Sequence, residues 1–357
     1  MDLDRLSPVP LQAGPHEFLR FSETYKARES VLLVTSDGML RRRTVEPFLQ
    51  ANRQTAIVRT VGSNPGLDEI EALLEQTRRL NIGSVVAVGG GSVLDTGKIL
   101  AVLLDKANSN VSLREVLRDG KDFVHTRLGL VCIPTTSGTG AEVTPFATVW
   151  DKEKSKKYSF ASSSLEPDRI VLDPTLTVTA PYDVTIDCAL DACSHAMESL
   201  WNRSACPESI ALAQQSLRLF VAAFQKVSVD LNDLQARTQM QQASFLAGLS
   251  IRITRTALAH SISYPITLHY GVPHGLACSF TLPAIAEAVS AAGLWPETLD
   301  RDLIDKVLEV LNGIDLYGRL GKYCTPEQVR ALTGEMFTKG RADNFVLPIE
   351  EALQTVL

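Results

Sequence analysis

The sequence predicts an α/β domain followed by an all-helical one, and three observations predict it. Short β-branched runs alternate with helical patterns through the first half. Glycine- and threonine-rich turns follow two of those runs directly. Beyond about Pro181 the strand signals give way to long helices with apolar residues at helical spacing. A chain of 357 residues exceeds what one core normally organises. The expected division is residues 1–181 for the α/β part and 182–357 for the helical part.

Residues 29–37, 54–62, 82–90, 128–136 and 169–174 read as strands. Residues 67–81 and 92–106 read as helices between them. Buried strands joined by helices imply a mostly parallel sheet. In the second half, 208–227, 233–254 and 301–314 carry helical spacing. There is no internal repeat and no low-complexity segment.

Hydrophobic residues make up 45 % of the chain and the formal net charge is −6. No basic stripe is present, so a nucleic-acid partner is not expected. No apolar stretch is long enough to span a bilayer, so no membrane partner is expected either. The first residues are polar and acidic and lack the apolar centre of a signal peptide. Six scattered cysteines without a CxxC pair read as reduced thiols of a cytoplasmic protein.

The segment VVAVGGGSVLDTGK (85–98) is strand, glycine turn and helix start. Its glycines admit close backbone approach, and Ser92 falls near the helix N-cap. Free amides and the helix dipole there favour an anion, most simply a pyrophosphate. It is neither the GxGxxG fingerprint nor a GxxxxGK[ST] loop, and a bare tight turn explains it equally well alone. PTTSGTGAEVTP (134–145) is a second such loop, with hydroxyls from Thr135, Thr136, Ser137 and Thr139. Two of these loops at strand ends point to a ligand, because open α/β sheets bind ligands there.

Asp191 and His195 lie four apart in a helical segment, which stacks them on one face. His260 and His274 lie fourteen apart around a proline break. One carboxylate and three imidazoles suit Fe2+ or Zn2+ better than calcium. Each histidine alone reads as an ordinary core or surface residue; His16 and His125 keep that reading, as exposed side chains. Four candidate ligands in one half raise the reading to a mononuclear metal site with Lewis-acid use.

These residues resemble a known family, the iron-containing (group III) alcohol dehydrogenases, across nearly the whole chain. GGGSVLDTGK resembles that family's GGGSxxDxxK loop, TTSGTGAEVT its TTxGTGSEVT loop, DACSHAMES its DALxHAxE helix, and AHSISYPITLHYGVPHG its H-x3-H-P…PHG segment. The resemblance implies a Rossmann-like N-terminal domain and an all-α C-terminal domain, the dehydroquinate synthase-like architecture, with a nicotinamide in the cleft. It implies metal ligation by Asp191, His195, His260 and His274. It implies pyrophosphate contacts from Gly90, Gly91, Ser92 and Asp95, and further cofactor contacts from Asn64, Thr135, Thr136 and Lys157. The implied chemistry is NAD(P)H-dependent reduction of a small aldehyde to a primary alcohol, with the divalent metal as Lewis acid.

Two departures bear on mechanism and substrate. Tyr264 stands where the family usually has a second histidine that relays protons; Tyr264, His269 or water would serve instead. Arg252 and Arg255, three apart upstream of His260, would share a face and bind an anionic tail, with His269 as a third donor. The pattern is similar to the phosphonoacetaldehyde-reducing branch of the family, which implies a 2-hydroxyethylphosphonate product and phosphonate biosynthesis. Alternatives are a simple alcohol, a lactaldehyde or a maleylacetate-type substrate, a dehydroquinate synthase-like lyase, or a nucleotide- or metal-binding protein without catalysis. Ser36 stands where NAD-preferring members tend to carry an acid, and Arg41, Arg42 and Arg43 could meet a 2′-phosphate, which favours NADPH. Asp37, one residue later, favours NADH. A homodimer is the default assembly.

Overall fold

The β-branched runs of the first half assemble into one parallel sheet. The computed structural model describes residues 2–27, 29–60, 64–154, 156–337 and 341–348. They form two compact units, Met1–Thr136 with Ala141–Thr179, and Ser137–Gly140 with Ala180–Leu357. The tetrapeptide Ser137–Gly140 therefore packs with the second unit while its chain neighbours belong to the first.

In the first unit the strands are β1 (Leu11–Ala13), β2 (Ser30–Ser36), β3 (Thr55–Thr60), β4 (Ile82–Gly89), β5 (Gly129–Pro134), β6 (Phe146–Asp151), β7 (Lys156–Ala161) and β8 (Arg169–Leu172). Six of them run in the order β1-β8-β5-β4-β2-β3, each paired in parallel with its neighbours. The helices are α1 (Glu17–Thr24), α2 (Asp37–Arg41), α3 (Glu46–Ala51), α4 (Leu67–Thr77), α5 (Gly91–Leu103) and α6 (Leu113–Asp119).

Strand side chains alternate between faces, and here both faces are buried. Val31, Leu33, Val86, Val88 and Ile133 pack with Phe21 and Phe48 of α1 and α3. Leu32, Val34, Val85, Ala87 and Leu130 pack with Ile70, Leu74, Leu94 and Leu100 of α4 and α5. That double burial is why these strands read as continuous apolar runs. From β2 the chain runs outward to β3, then crosses back to β4 on the other side of β2. The strand order thus reverses at β2/β4, and ligands of open α/β sheets bind outside the carboxyl ends of strands at such a point.

The hairpin β6–β7 is antiparallel and separate from the main sheet. The sequence reading assigned no element there, nor at β1 and α1, because the connecting KEKS carries no turn-forming glycine and β7 opens on two lysines. Two side chains of α5 fasten the hairpin. Lys98 is fully buried and its Nζ donates to the carbonyls of Thr144 at 2.8 Å and Phe146 at 3.1 Å. Asp95 Oδ2 accepts the Thr148 N–H at 2.9 Å.

The second unit is α7 (Tyr182–Leu200), α8 (Pro207–Val229), α9 (Leu234–Thr254), α10 (Leu258–Tyr270), α11 (His274–Ser279), α12 (Leu282–Ala291), α13 (Arg301–Asn312), α14 (Leu316–Leu320) and α15 (Pro326–Ala331). One core holds them together, and alanines of α7, α8 and α9 (Ala189, Ala196, Ala213, Ala223, Ala247) let those backbones approach. Among the described residues no helix is long and apolar enough to cross a membrane.

Several boundaries differ from expectation. The helix expected over 67–81 stops at Thr77, and that over 92–106 runs Gly91–Leu103 with Gly90, not Ser92, at the N-cap. The strand expected over 54–62 is described from Thr55 to Thr60; 61 and 62 lie outside the described residues. Pro265 does not break the chain. It sits inside α10, where it removes one ladder bond, and the burial of every residue from Leu258 to Thr267 holds the helix through it.

Glu142, 2 % exposed, has its carboxyl pushed up to about 7 by burial. A folded-state value raised above 4.5 means the folded protein binds the proton more tightly than the unfolded chain. Stability from this group is full below the unfolded value and is lost as pH rises through about 7. Glu142→Gln is therefore expected to flatten the decline of stability between acidic and alkaline pH and to gain on the order of 2–3 kcal/mol at pH 8 relative to pH 4. Urea midpoints across that range check it; parallel pH profiles for both proteins would count against it.

Candidate active site

Helix α7 carries Asp191 and His195 one turn apart, α10 carries His260 in its first turn, and α11 begins at His274. These three helices bring the four predicted ligands together. Asp191 Oδ1 lies 3.6 Å from His195 Nε2, 3.5 Å from His260 Nε2 and 3.8 Å from His274 Nε2. The His195 and His260 rings stack at 4.6 Å, and His274 stands edge-on to His260 at 5.3 Å. Asp191, His195 and His260 are almost fully buried, whereas the His274 side chain is 27 % exposed. The cluster therefore opens on the His274 side.

Asp191 Oδ1 and His260 Nε2 are buried without a hydrogen-bond partner. Each such orphan costs about 1–3 kcal/mol. A divalent cation taking lone pairs from all four groups removes both orphans. Bonds of about 2.0–2.2 Å in a tetrahedron place donors roughly 3.3–3.6 Å apart, close to the three distances found. The residues present thus fit a divalent metal.

His195 Nδ1 faces the Gly138 carbonyl at 3.3 Å, and His260 Nδ1 faces Glu198 Oε2 at 2.7 Å. These contacts turn both Nε2 atoms toward Asp191, and a ring that donates Nδ1–H to oxygen and has lost its second proton presents an Nε2 lone pair to a cation. Burial pushes the Asp191 carboxyl up, but His195, His260 and His274 outweigh it and hold the group well below the usual carboxylate range. Burial also holds His195 below its ordinary value, which favours the neutral, ligating ring. Burial pushes His260 down, but Cys278, Glu198 and Asp191 outweigh it and hold the ring well above the ordinary imidazole value, so a cation bound there displaces a proton.

Two residues of this site had been given no role from the sequence. Glu198 is fully buried and accepts from His260 Nδ1, from the Ala257 N–H at 2.9 Å and from the His260 N–H at 3.1 Å. Its signal was present, because Asp191, His195 and Glu198 fall at i, i+4 and i+7 of one helix. Cys278 is the second. Its Sγ lies 3.7 Å from both ring nitrogens of His274, and the donor atoms of Asp191, His260, His274 and Cys278 all lie within 4.8 Å of one another. Its place four residues after His274 was the overlooked signal. Gly275 makes this packing possible: a Cβ there would sit 1.9 Å from the Asp187 carbonyl of α7.

Tyr264 is 9 % exposed, stacks parallel to His274 at 6.1 Å and meets His260 edge-on at 6.4 Å. His269 does not join it. Nine residues beyond His260, it points to the opposite side of α10, where its Nε2 is 2.8 Å from Glu335 Oε2 on the exposed surface. The shared face expected for Arg252 and Arg255 is also corrected. Arg252 ends α9 half-buried, but Arg255 is an exposed C-cap with φ 63° and lies outside the helix. Positive φ turns the chain away from the i, i+3 geometry.

In the first unit, the predicted cofactor residues gather at the carboxyl ends of β2 to β5. Ser36 ends β2 and caps α2, its Oγ accepting the Met39 N–H at 3.3 Å. Asp37 Oδ1 is 4.0 Å from Arg59 Nε. Arg43, with φ 56°, pairs with Glu46 at 3.4 Å. Asn64, with φ 67°, donates its N–H to Ser92 Oγ at 3.1 Å. Gly90 and Gly91 open α5 at the end of β4, and a Cβ on Gly90 would meet Thr136 Oγ1 at 3.3 Å. The Thr135 N–H donates to the Gly89 carbonyl at 2.9 Å, which ties the two loops together. This narrow turn at a helix N-terminus fits a pyrophosphate. Asp95 faces Thr148 and Lys98 instead, as a hairpin anchor, and Lys157 lies over Trp150 of the same hairpin at 5.3 Å. Thr139 belongs to the tetrapeptide that packs with the second unit, where Gly140 (φ 58°) leaves no room for a Cβ against Gly248.

Comparison with known proteins gives the family. Residues 10–174 match the family "iron-containing alcohol dehydrogenase", and residues 185–301 match the C-terminal part of the same family. The chain belongs to the iron-containing alcohol dehydrogenase family and is a metal-dependent oxidoreductase of that type. It is 35 % identical to a phosphonoacetaldehyde reductase of Streptomyces viridochromogenes over 76 % of this chain and 71 % of that protein. It is 27 % identical to aldehyde-alcohol dehydrogenase 2 of Entamoeba histolytica over 81 % of this chain, which spans only 35 % of that longer protein. A solved sulfoacetaldehyde reductase from Bifidobacterium kashiwanohense, in complex with NAD+, superposes with TM-score 0.87 at 25 % identity, covering 98 % of this chain and 96 % of the other.

His260→Ala is expected to abolish stoichiometric metal binding. Glu198→Ala is expected to weaken it about 10- to 100-fold, and Glu198→Gln less, since the amide oxygen still accepts from Nδ1. Chelator competition followed by elemental analysis reads both. Wild-type affinity in Glu198→Ala would show that the buried carboxylate does not tune the site.

Proposed function

We propose that the protein reduces a small aldehyde bearing an oxyanion tail to the primary alcohol, with phosphonoacetaldehyde to 2-hydroxyethylphosphonate as the reaction. The observation that carries this is the pair of relatives just described, since phosphonoacetaldehyde and sulfoacetaldehyde share a carbonyl one carbon removed from an anionic group. When bound, the divalent cation, Fe2+ or Zn2+, supplies Lewis acidity, and reduced nicotinamide supplies the hydride.

The chain's own residues do the rest. Asp191, His195, His260 and His274 hold the cation, while Glu198 and the Gly138 carbonyl keep two of the rings in the ligating tautomer. Tyr264, on the open His274 side, gives its hydroxyl proton to the nascent alcohol. The amides of Gly90, Gly91 and Ser92 take the pyrophosphate, with Asn64, Thr135 and Thr136 around it. Ser36 in place of an acid, the Arg41–Arg43 run, and Asp37 countered by Arg59 support NADPH over NADH. Arg252 is the cation of the original pair that stays on α9. A homodimer is the proposed assembly.

An NADPH-oxidation assay with phosphonoacetaldehyde, sulfoacetaldehyde and propionaldehyde, on protein of measured metal content, tests the reading. The expected result is a kcat/KM for phosphonoacetaldehyde at least about tenfold above that for propionaldehyde. Equal or higher efficiency with propionaldehyde than with either anionic aldehyde would overturn it. Turnover without net NADPH consumption would point to the lyase instead.

A further inference from the structure

The pair of arginines singled out from the sequence does not share a face, yet another guanidinium stands beside a residue that lines the cluster. Arg341 Cζ lies 4.5 Å over the ring of Tyr264. Tyr264 in turn lies parallel to His274 at 6.1 Å, with an interplanar angle of 5°. Arg341, Tyr264 and His274 thus form a continuous stack leading from a cation to the open side of the metal cluster.

Arg341 is held there by its neighbours. Ala342 and Phe345 are buried in the helical unit. Asn344 Nδ2 donates to the Thr256 carbonyl at 2.8 Å, Arg203 Nε donates to the Phe345 carbonyl at 2.7 Å, and Phe345 bridges Asn202. The segment is therefore docked on the end of α7 and on the turn between α9 and α10. Among the described residues the Arg341 guanidinium makes no ion pair, and it lies over the Tyr264 face. Stacking on an aromatic face leaves the in-plane N–H fork of a guanidinium available for a bidentate oxyanion.

We propose that Arg341 is the specificity-determining anchor for the substrate's oxyanion tail, mounted on Tyr264. The inference rests on the anionic-aldehyde reading above and names the residue that would enforce it. The reach is suitable. The distances of 4.5 and 6.1 Å bound the separation of Arg341 and the His274 ring to about their sum. A two-carbon aldehyde with a terminal oxyanion fits within that separation, with a charge-assisted hydrogen bond of about 2.8 Å at its anionic end. The stack also gives Tyr264 a physical reason to stand where the family usually has a histidine: its larger face carries the guanidinium.

The test compares wild type, Arg341→Gln and Arg341→Lys, each loaded to equal metal content, with phosphonoacetaldehyde, sulfoacetaldehyde and propionaldehyde. The readout is the ratio of kcat/KM for each anionic aldehyde to that for propionaldehyde, so a general loss of activity cancels. In Arg341→Gln this ratio is expected to fall about 30-fold, through KM, and in Arg341→Lys by less, because charge remains but the fork does not. A ratio in Arg341→Gln within about threefold of wild type, with wild type preferring the anionic aldehydes, overturns the role of Arg341 and leaves the substrate class standing. A wild type without that preference overturns the substrate class, and Arg341 with it, before any variant is made.

Discussion

A single carboxylate oxygen, Asp191 Oδ1, faces three imidazole nitrogens at 3.5 to 3.8 Å in a nearly closed interior. Left alone, that convergence is unfavourable, because buried polar atoms confront one another without hydrogen bonds. Much of the second unit's packing can be read as what forces it. The glycine at 275 lets α11 press against α7, the alanines of α7 to α9 bring those helices close, and the buried run of α10 keeps its course through Pro265. A core that dense cannot relax one side chain without disturbing several, so the four groups stay turned inward.

The surroundings refine rather than create this geometry. Glu198 and the Gly138 carbonyl each face the Nδ1 of one ring, so the two imidazoles are oriented by groups that are not themselves among the four converging donors. The α/β unit reaches a comparable end by different means. There the strand order reverses at β2/β4, the place where open α/β sheets take ligands, and backbone amides at the start of α5 supply the polarity. One unit thus uses side chains tuned by burial, the other uses main chain exposed by glycine.

How much of this the sequence disclosed depended on the range of the signal. The doubly buried strands were legible because period-two packing against helices on both sides leaves unbroken apolar runs. The cluster of Asp191, His195, His260 and His274 was legible because Asp191 and His195 are neighbours on a helix and the remaining histidines belong to recognisable motifs. The hairpin was not, since its second strand starts on charged residues and its anchors, Lys98 and Asp95, lie about fifty residues upstream. His269 and Arg255 were misplaced for local reasons: one lies half a turn off the active face, and the other is itself the point where the backbone turns left-handed, which spacing cannot reveal. Arg341 was invisible because nothing in a linear text connects it with Tyr264.

The uneven enclosure of the cluster has a kinetic meaning. Three donors sit on long, deeply packed helices, whereas His274 starts a six-residue helix and is the only one of the four with appreciable solvent access. A cation arriving from solvent would meet that imidazole first and part from it last. Loading and loss of the ion are therefore expected through the one imidazole that solvent reaches, while the three enclosed donors set how tightly it is held.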